Sequence, residues 1–340
     1  MNYTIFFTDN CNMNCKYCYE KEKKNSAVSL ECLKGIIAFI VQNYKRDMSK
    51  PISIVTHGGE PLLEYEKIRY FIKELNKEVP SVRYIITTNA TLLDKEKINF
   101  LAQNYTSISV SIDGTKKAHN LNRTLKSGKG SYDDAIYWAK EMLNVRFDTK
   151  ARLTVTPNNV QYLYEGVKEL AELGFSNIIP VPDEFSQEWT VESVNEIYKQ
   201  GMKIIGYRTD IKKLNIGLIQ DALIRVKNAV CDGGIDTMSI ESNGDIYPCI
   251  AAVGHSEFKI GNIAEGIDKQ SLKRLQEEAK QRVDQCEGCS RYDYCNATRC
   301  KIINKVMTGE SFSPSPVVCN MENIRVKLSA MYKQKMEGKI

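Results

Sequence analysis

The apolar positions in the first half of the chain follow two periods that take turns. Residues 3–8 form a β-rich run, and residues 30–44 place Leu33, Ile36, Ile37 and Ile40 on one helical stripe. The same exchange repeats down the chain. Strands are expected at 52–56, 83–88, 107–112, 150–155 and 177–181, with helices between them at 65–76, 95–104 behind the cap Asp94, 132–145 and 160–173. Strands separated by helical segments predict a parallel sheet. The six units fall short of the roughly eight that close a barrel. The expected fold is therefore α/β, a partial, open (β/α)6 TIM-like barrel over residues 1–185.

Beyond the barrel the pattern changes. Residues 194–207 and 215–227 have helical periodicity and are expected to be packing or connecting helices in a linker, 186–228, that carries no catalytic signature. Residues 237–241 and 245–247 read as a hairpin turned by Asn243-Gly244. That hairpin opens a small cysteine-rich α+β domain, 229–322, followed by a C-terminal helix, 323–340.

Composition narrows the class. Apolar residues make up 42% and charged residues 26% of the chain, the balance of a globular protein with a proper core. The net charge of +5 is spread over short mixed runs, too weak and unpatterned to suggest nucleic acid. No apolar run reaches membrane-spanning length and no signal peptide precedes Cys11, so a cytoplasmic protein with no membrane or nucleic-acid partner is expected. In that setting 11 cysteines, an odd number, suggest metal thiolates over disulfides.

Three of them, Cys11, Cys15 and Cys18, stand at C-x3-C-x2-C directly after the first strand. Cysteines so spaced can hold three corners of an iron–sulfur cube and leave one iron free for a small molecule. Other polar or glycine-rich motifs end the next strands: His57-Gly58-Gly59-Glu60-Pro61, Thr88-Asn89 and Ser111-Ile112-Asp113-Gly114. Each alone is an adequate turn. Their weight comes from recurring at the strand ends where parallel β/α folds bind ligands.

Taken in order, these motifs resemble those of radical S-adenosylmethionine (SAM) enzymes. The resemblance implies a [4Fe–4S] cluster on Cys11, Cys15 and Cys18 whose fourth iron is chelated by SAM. It implies further that Tyr17 lies beside the adenine and that the Gly58, Gly59, Glu60 segment accepts bonds from the methionine ammonium. Thr88 and Asn89 would join the cofactor site, and Ser111 would contact the methionine or ribose. Arg123, in His119-Asn-Leu-Asn-Arg123, is a candidate partner for a substrate or cofactor carboxylate, because a guanidinium suits bidentate carboxylate recognition. Ala90 stands where glycine is common in this motif.

Seven cysteines lie after residue 230. On spacing alone Cys286-x2-Cys289 suits zinc as well as iron. The order Cys231, Cys249, Cys286, Cys289, Cys295, Cys300, Cys319 resembles the SPASM extension of radical SAM enzymes that modify peptides and proteins. By that resemblance Cys231, Cys249 and Cys300 hold one auxiliary [4Fe–4S] cluster, and Cys286, Cys289, Cys295 and Cys319 a second, making three clusters. The gap before Cys300 is one residue longer than usual. Seven cysteines fill seven of eight sites, so one iron is open to a substrate thiolate, a water, Asp232 or Cys32. Cys32 reads first as a small buried hydrophobe on its helix. The three histidines form no ligand pattern, His57 is expected to orient the glycine loop, and no carboxylate is assigned as a catalytic base.

The expected activity is radical maturation of a ribosomally made precursor peptide, with a thioether product. A flavodoxin or ferredoxin would donate the electron. The chain opens at its first barrel strand, without the winged-helix peptide-recognition domain of many such maturases, so another surface or a separate leader-recognition protein is expected. One alternative is an anaerobic sulfatase-maturating enzyme. That group has an aspartate after its Tyr-Pro-Cys cysteine, where this chain has Ile250 after Cys249. The other is a zinc or iron–sulfur regulator that binds nucleic acid or protein.

Overall fold

The computed structural model describes residues 1–20, 26–209, 213–223 and 227–339. Six parallel β/α units are present, as the periodicity indicated. The strands are β1 (Asn2–Thr8), β2 (Ile52–Gly58), β3 (Val82–Thr88), β4 (Ser107–Ser111), β5 (Lys150–Val155) and β6 (Asn177–Pro182). The helices packed on them are α1 (Leu30–Arg46), α2 (Tyr65–Glu78), α3 (Lys95–Asn104), α4 (Lys116–Asn122), α5 (Tyr132–Val145), α6 (Leu163–Glu172) and α7 (Val191–Thr209). Local chemistry fixes their starts: Ser29 accepts the Cys32 N–H and Asp94 the Lys97 N–H.

Strand alternation separates two faces. Tyr3, Ile5 and Phe7 on β1 point to the helices, where Tyr3 meets Phe39 and Phe7 meets Phe71 edge-on. Ile52, Ile54, Ile108, Val110, Leu153 and Ile178 extend this core along the outer face. The residues between them line the concave face.

Two features were not anticipated. A seventh parallel strand, β7 (Asn215–Ile216), pairs with β6, followed by one helical turn, α8 (Gly217–Gln220). The helix expected over 215–227 is therefore not formed there, although 224–226 lie outside the described residues. A short buried apolar run suits strand and helix alike, and here docking against β6 decides. The expected hairpin, β8 (Thr237–Ile240) and β9 (Asp245–Tyr247), also does not stand apart. β8 pairs in parallel with β1, and β10 (Gly261–Asn262) and β11 (Gly266–Ile267) continue from β9. One 11-stranded sheet results, ordered β11-β10-β9-β8-β1-β2-β3-β4-β5-β6-β7.

The remaining helices are α9 (Lys269–Lys280), α10 (Asn296–Arg299), α11 (Lys301–Thr308) and α12 (Pro316–Met336). The last starts before residue 323 because Ser315 caps it and Pro316 occupies its first turn, which brings Cys319 onto the helix. No described helix is long and apolar enough to cross a membrane.

Candidate cofactor and iron–sulfur sites

The cysteine loop leaves β1 and is held from two sides. On one side the β2 loop closes on it: Gly59 N–H donates to Thr8 O at 3.0 Å and Glu60 N–H to Asn10 O at 2.9 Å. A Cβ at Gly59 would stand 2.3 Å from Asn10 O, and Gly58 has φ +151° with Thr8 O at the same distance. Both glycines are thus required by the approach of the cysteine loop itself. His57 does orient this turn. Its Nδ1 accepts the Gly58 N–H at 2.7 Å, its Nε2 lies 3.1 Å from Tyr19 Oη, and burial, with Arg152 adding, lowers its pKa to about 4. The ring is neutral at pH 7.

On the other side the segment after α4 runs along the loop. Asn14 N–H donates to Thr124 O at 2.8 Å and Lys16 N–H to Asn122 O at 2.9 Å. The His-Asn-Leu-Asn-Arg stretch is therefore a backbone brace for the cysteine loop. Buried His119 fixes it: Nδ1 accepts the Asp113 N–H at 3.3 Å, and Nε2 lies 2.9 Å from Ser131 Oγ, which donates to Arg123 O. Burial, then Arg123, lowers the His119 pKa to about 2, so its ring is neutral too.

The polar residues at the strand ends come together, but several engage each other. Glu60 is buried, and its carboxylate accepts from Thr88 Oγ1 and Asn89 N, both at 2.8 Å, and from Leu62 N at 3.2 Å. Burial pushes its pKa up to about 7 despite those donors. Arg123 Nε sits 3.1 Å from Asp113 Oδ1, both side chains nearly excluded from solvent. Burial opposes the Arg123 charge, yet Asp113, Tyr17 and Cys15 together outweigh it and the pKa is raised. Tyr17 donates to Asp113 Oδ2 at 2.7 Å, and its ring lies under the Arg123 guanidinium. The expected carboxylate partner of Arg123 is thus an aspartate of the chain, ten residues upstream. Ser111 lies on the concave face beside Arg152.

Around the triplet, Cys11 is buried and its sulfur accepts from Met13 N at 3.4 Å and Asn89 Nδ2 at 3.8 Å. Burial pushes the Cys15 thiol up to about 11; Arg123 opposes this, while the neighbouring Cys11 and Cys18 thiols add to it. Thiols gathered with N–H donors aimed at sulfur, yet resisting ionisation by themselves, suit thiolates neutralised by iron.

Among the C-terminal thiols, Cys300 and Cys231 act electrostatically on Cys249, and Cys231 and Cys300 line one cavity. Cys286 acts with Cys289 and Cys319, and Cys295 with Cys319. Each of these neighbours falls within one of the two sets that the resemblance implies. Cys249, Cys295 and Cys300 each cap a short helix, and Cys300 Sγ accepts the Ile303 N–H at 3.4 Å. Helix N-termini favour thiolate. Cys32 packs elsewhere, near Gly244. Asp232 lies 3.5 Å from Arg299, so an ion pair already engages it. Among the described residues no three His, Cys, Asp or Glu groups converge closely enough for one ion. A zinc site, with Zn–S bonds of about 2.3 Å, would need such convergence. A cube spreads its thiolates further apart.

The sequence profile of the Radical SAM superfamily matches residues 5–170, β1 to α6 with the strand-end motifs between them. That part of the chain is a radical SAM domain. The profile of the SPASM iron–sulfur cluster-binding domain matches residues 231–300. The chain is accordingly an enzyme that uses SAM and iron–sulfur clusters. A cysteine-type anaerobic sulfatase-maturating enzyme of Clostridium novyi is 24% identical over 325 residues, covering 85% of both chains. Among solved structures, native anSMEcpe with bound AdoMet superposes with a TM-score of 0.81 at 17% identity, over 99% of both chains. Streptococcus suis SuiB bound to its precursor peptide SuiA gives 0.69 at 19% identity, over 93% of this chain and 75% of that one. At these identities the structures establish the fold alone.

Proposed function

We propose that this radical SAM/SPASM enzyme matures a ribosomally made peptide by joining a cysteine sulfur to carbon. The observation that carries the reading is the cysteine count: seven C-terminal cysteines for the eight sites of two cubes would leave the Cys231, Cys249, Cys300 set one ligand short. The named relatives and neighbours that act on or bind peptides support the substrate class. Cys11, Cys15 and Cys18 would hold the cluster that binds SAM, and the two C-terminal sets the auxiliary clusters, about twelve irons in all at four per cube.

When bound, SAM and its cluster supply hydrogen abstraction from an unactivated carbon. The chain's own residues do the positioning. Gly58 and Gly59 let the β2 loop close on the cysteine loop, the buried Asp113–Arg123–Tyr17 group fixes its far side, and Glu60 ties the β2 and β3 loops together. Cys231, Cys249 and Cys300 would present a substrate thiolate to the site, since soft iron favours sulfur. Overall one C–H and one S–H bond give way to a C–S bond. The two electrons would be taken up by SAM, with methionine and 5′-deoxyadenosine as co-products; one hydrogen would leave in 5′-deoxyadenosine and the other as a proton. A cytoplasmic flavodoxin or ferredoxin would start the cycle with an electron that the ring closure returns. A separate protein would present the leader.

The test is incubation of the anaerobically reconstituted enzyme with each small cysteine-containing peptide found encoded beside its gene. A two-hydrogen mass loss with disappearance of a free thiol is expected. An unchanged thiol count refutes the thioether. Formylglycine formed on a sulfatase-motif peptide would favour the alternative, which Ile250, 41% exposed just after Cys249, disfavours. Abundant zinc with little iron would overturn the reading altogether.

A further inference from the structure

The concave face of the sheet has an uneven charge. Its members follow from the register: Thr4 pairs with Val55, Ser53 with Arg83, Thr87 with Ser109, Ser109 with Lys150 and Ser111 with Arg152. Cross-strand partners share a face. The inward positions of β1 to β6 therefore include the cations Arg83, Lys150 and Arg152 and no Asp or Glu. Of the acids near the strand tips, Asp113 is paired with Arg123, and Glu20 lies 3.8 Å from the neutral His57 ring.

Arg152 is the cation closest to the chemistry. It sits beside Ser111 in register and acts electrostatically on Tyr19 of the cysteine loop and on His57. Its side chain is reached by solvent, yet surrounding protein still opposes its charge, the combination expected of a group inside a concavity. Among the described residues no carboxylate lies within ion-pair distance of it. One strand further on, Ile179 and Val181, the register partners of Arg152 and Thr154, line a cavity of about 380 Å³. Arg291 and Tyr294 are among the residues on its other side. Its other charged lining groups are Asp221, Glu322 and Arg325, and Arg325 is already paired with Glu184 and Glu322.

We propose that this concave face selects a substrate bearing a carboxylate, and that Arg152 receives it. A guanidinium held in a concavity loses competing water and binds a carboxylate through two parallel N–H bonds. Arg83 and Lys150 stand at the opposite, N-terminal ends of their strands, which leaves Arg152 as the cation that faces the strand tips. The inference rests on the reading that the reaction occurs on this face, and goes beyond it by naming the chemistry of the substrate.

The experiment reads binding without turnover. Three fluorescein-labelled peptides of about ten residues are titrated into the reconstituted, SAM-loaded full chain by anisotropy: alternating Gly-Glu with an amidated end, alternating Gly-Lys with an amidated end, and alternating Gly-Ser with a free C-terminal carboxylate. The acidic peptide, or the one with only a terminal carboxylate, is expected to bind about tenfold more tightly than the basic one, and Arg152→Gln to remove that preference. Which of the two binds tells a side-chain carboxylate from a chain end. Lys73→Gln, a loss of equal charge on the outer face of α2, is expected to leave it intact. Formation of 5′-deoxyadenosine without peptide should be unchanged in Arg152→Gln. Equal binding of all three peptides, equal effects of Arg152→Gln and Lys73→Gln, or loss of SAM cleavage in Arg152→Gln would each overturn the proposal. A wild-type chain that cleaves SAM but shows no preference sinks only this inference. A wild-type chain without cleavage fails the functional reading instead.

Discussion

Adding one methyl group at Gly114 should weaken both the fold and the cofactor site. Gly114 has φ +83°, and a Cβ there would lie 2.5 Å from the Cα of Gly166 on α6. The obstacle is backbone, so no side-chain rotation relieves it. The left-handed conformation costs about 1–2 kcal/mol for alanine, and forcing β4 and α6 apart adds about 1–3 kcal/mol. Gly114→Ala is therefore expected to destabilise by roughly 2–5 kcal/mol. With 340 residues and about 2.1 cal/mol/K of unfolding entropy each, the melting midpoint falls by roughly 3–7 °C if the chain melts as one unit. Gly166→Ala meets the same surface from the other side, 2.8 Å from the Gly114 Cα, but gains about 1 kcal/mol of helix propensity. In the double variant two methyl groups claim one space, so its cost should exceed the sum of the singles. Thermal unfolding of the four reconstituted proteins measures this cycle. A Gly114→Ala midpoint within about 1 °C of wild type, or an additive cycle, refutes the packing argument. Since Asp113 adjoins Gly114 and holds Tyr17, Arg123 and the Thr154 N–H, the same variant should also bind SAM more weakly.

Other residues give independent checks. The raised pKa of Glu60 sets a sign: its contribution to stability is complete below about 4.5, its unfolded value, and is lost as pH rises through about 7. The difference between wild type and Glu60→Gln should thus shrink by roughly 3 kcal/mol across that window in urea titrations, and a flat difference would contradict the burial argument. Ala90 is buried in the left-handed region at φ +66°, so Ala90→Gly should be near neutral, with relief of strain offset by a lost methyl contact and a freer unfolded chain. Ala90→Val should instead cost more than about 2 kcal/mol, and equal midpoints for the two variants would argue against that backbone geometry. Cys11→Ala should remove about four irons together with SAM cleavage, whereas Cys295→Ala should remove about four irons and spare that cleavage without peptide; iron analysis and 5′-deoxyadenosine assays separate the two.

The barrel was legible because buried faces impose a period of two on strands and near 3.6 on helices, and β1 to β6 obey it. β7 was missed because two residues carry no period, and its pairing depends on β6 being near. The cysteines were legible through spacing. The roles of Glu60 and Arg123 were harder to read. Each is a charged residue in a glycine- or asparagine-rich loop, and sequence does not tell whether such a charge turns to a ligand or to another loop. Here Thr88 and Asn89 occupy Glu60, and Asp113 occupies Arg123. The brace on the cysteine loop is hard to read because main-chain atoms make most of it, with Thr124 Oγ1 adding one bond to Asn14 O at 3.2 Å.

The parallel pairing of β8 with β1 makes the C-terminal region a structural dependency of the radical site. β1 delivers the triplet cysteines, and in the intact chain both of its edges are covered, by β2 and by β8. Cutting the chain after the barrel would strip one edge and leave a row of unpaired backbone groups beside the cysteine loop, an invitation to aggregate. It would also free Ser26, which joins Asp9 of that loop to Ser242 in the β8–β9 turn. The barrel is thus not a module to which other C-terminal domains can be attached at will. Exchanging this region between relatives would succeed only where the incoming strand also completes the edge of β1.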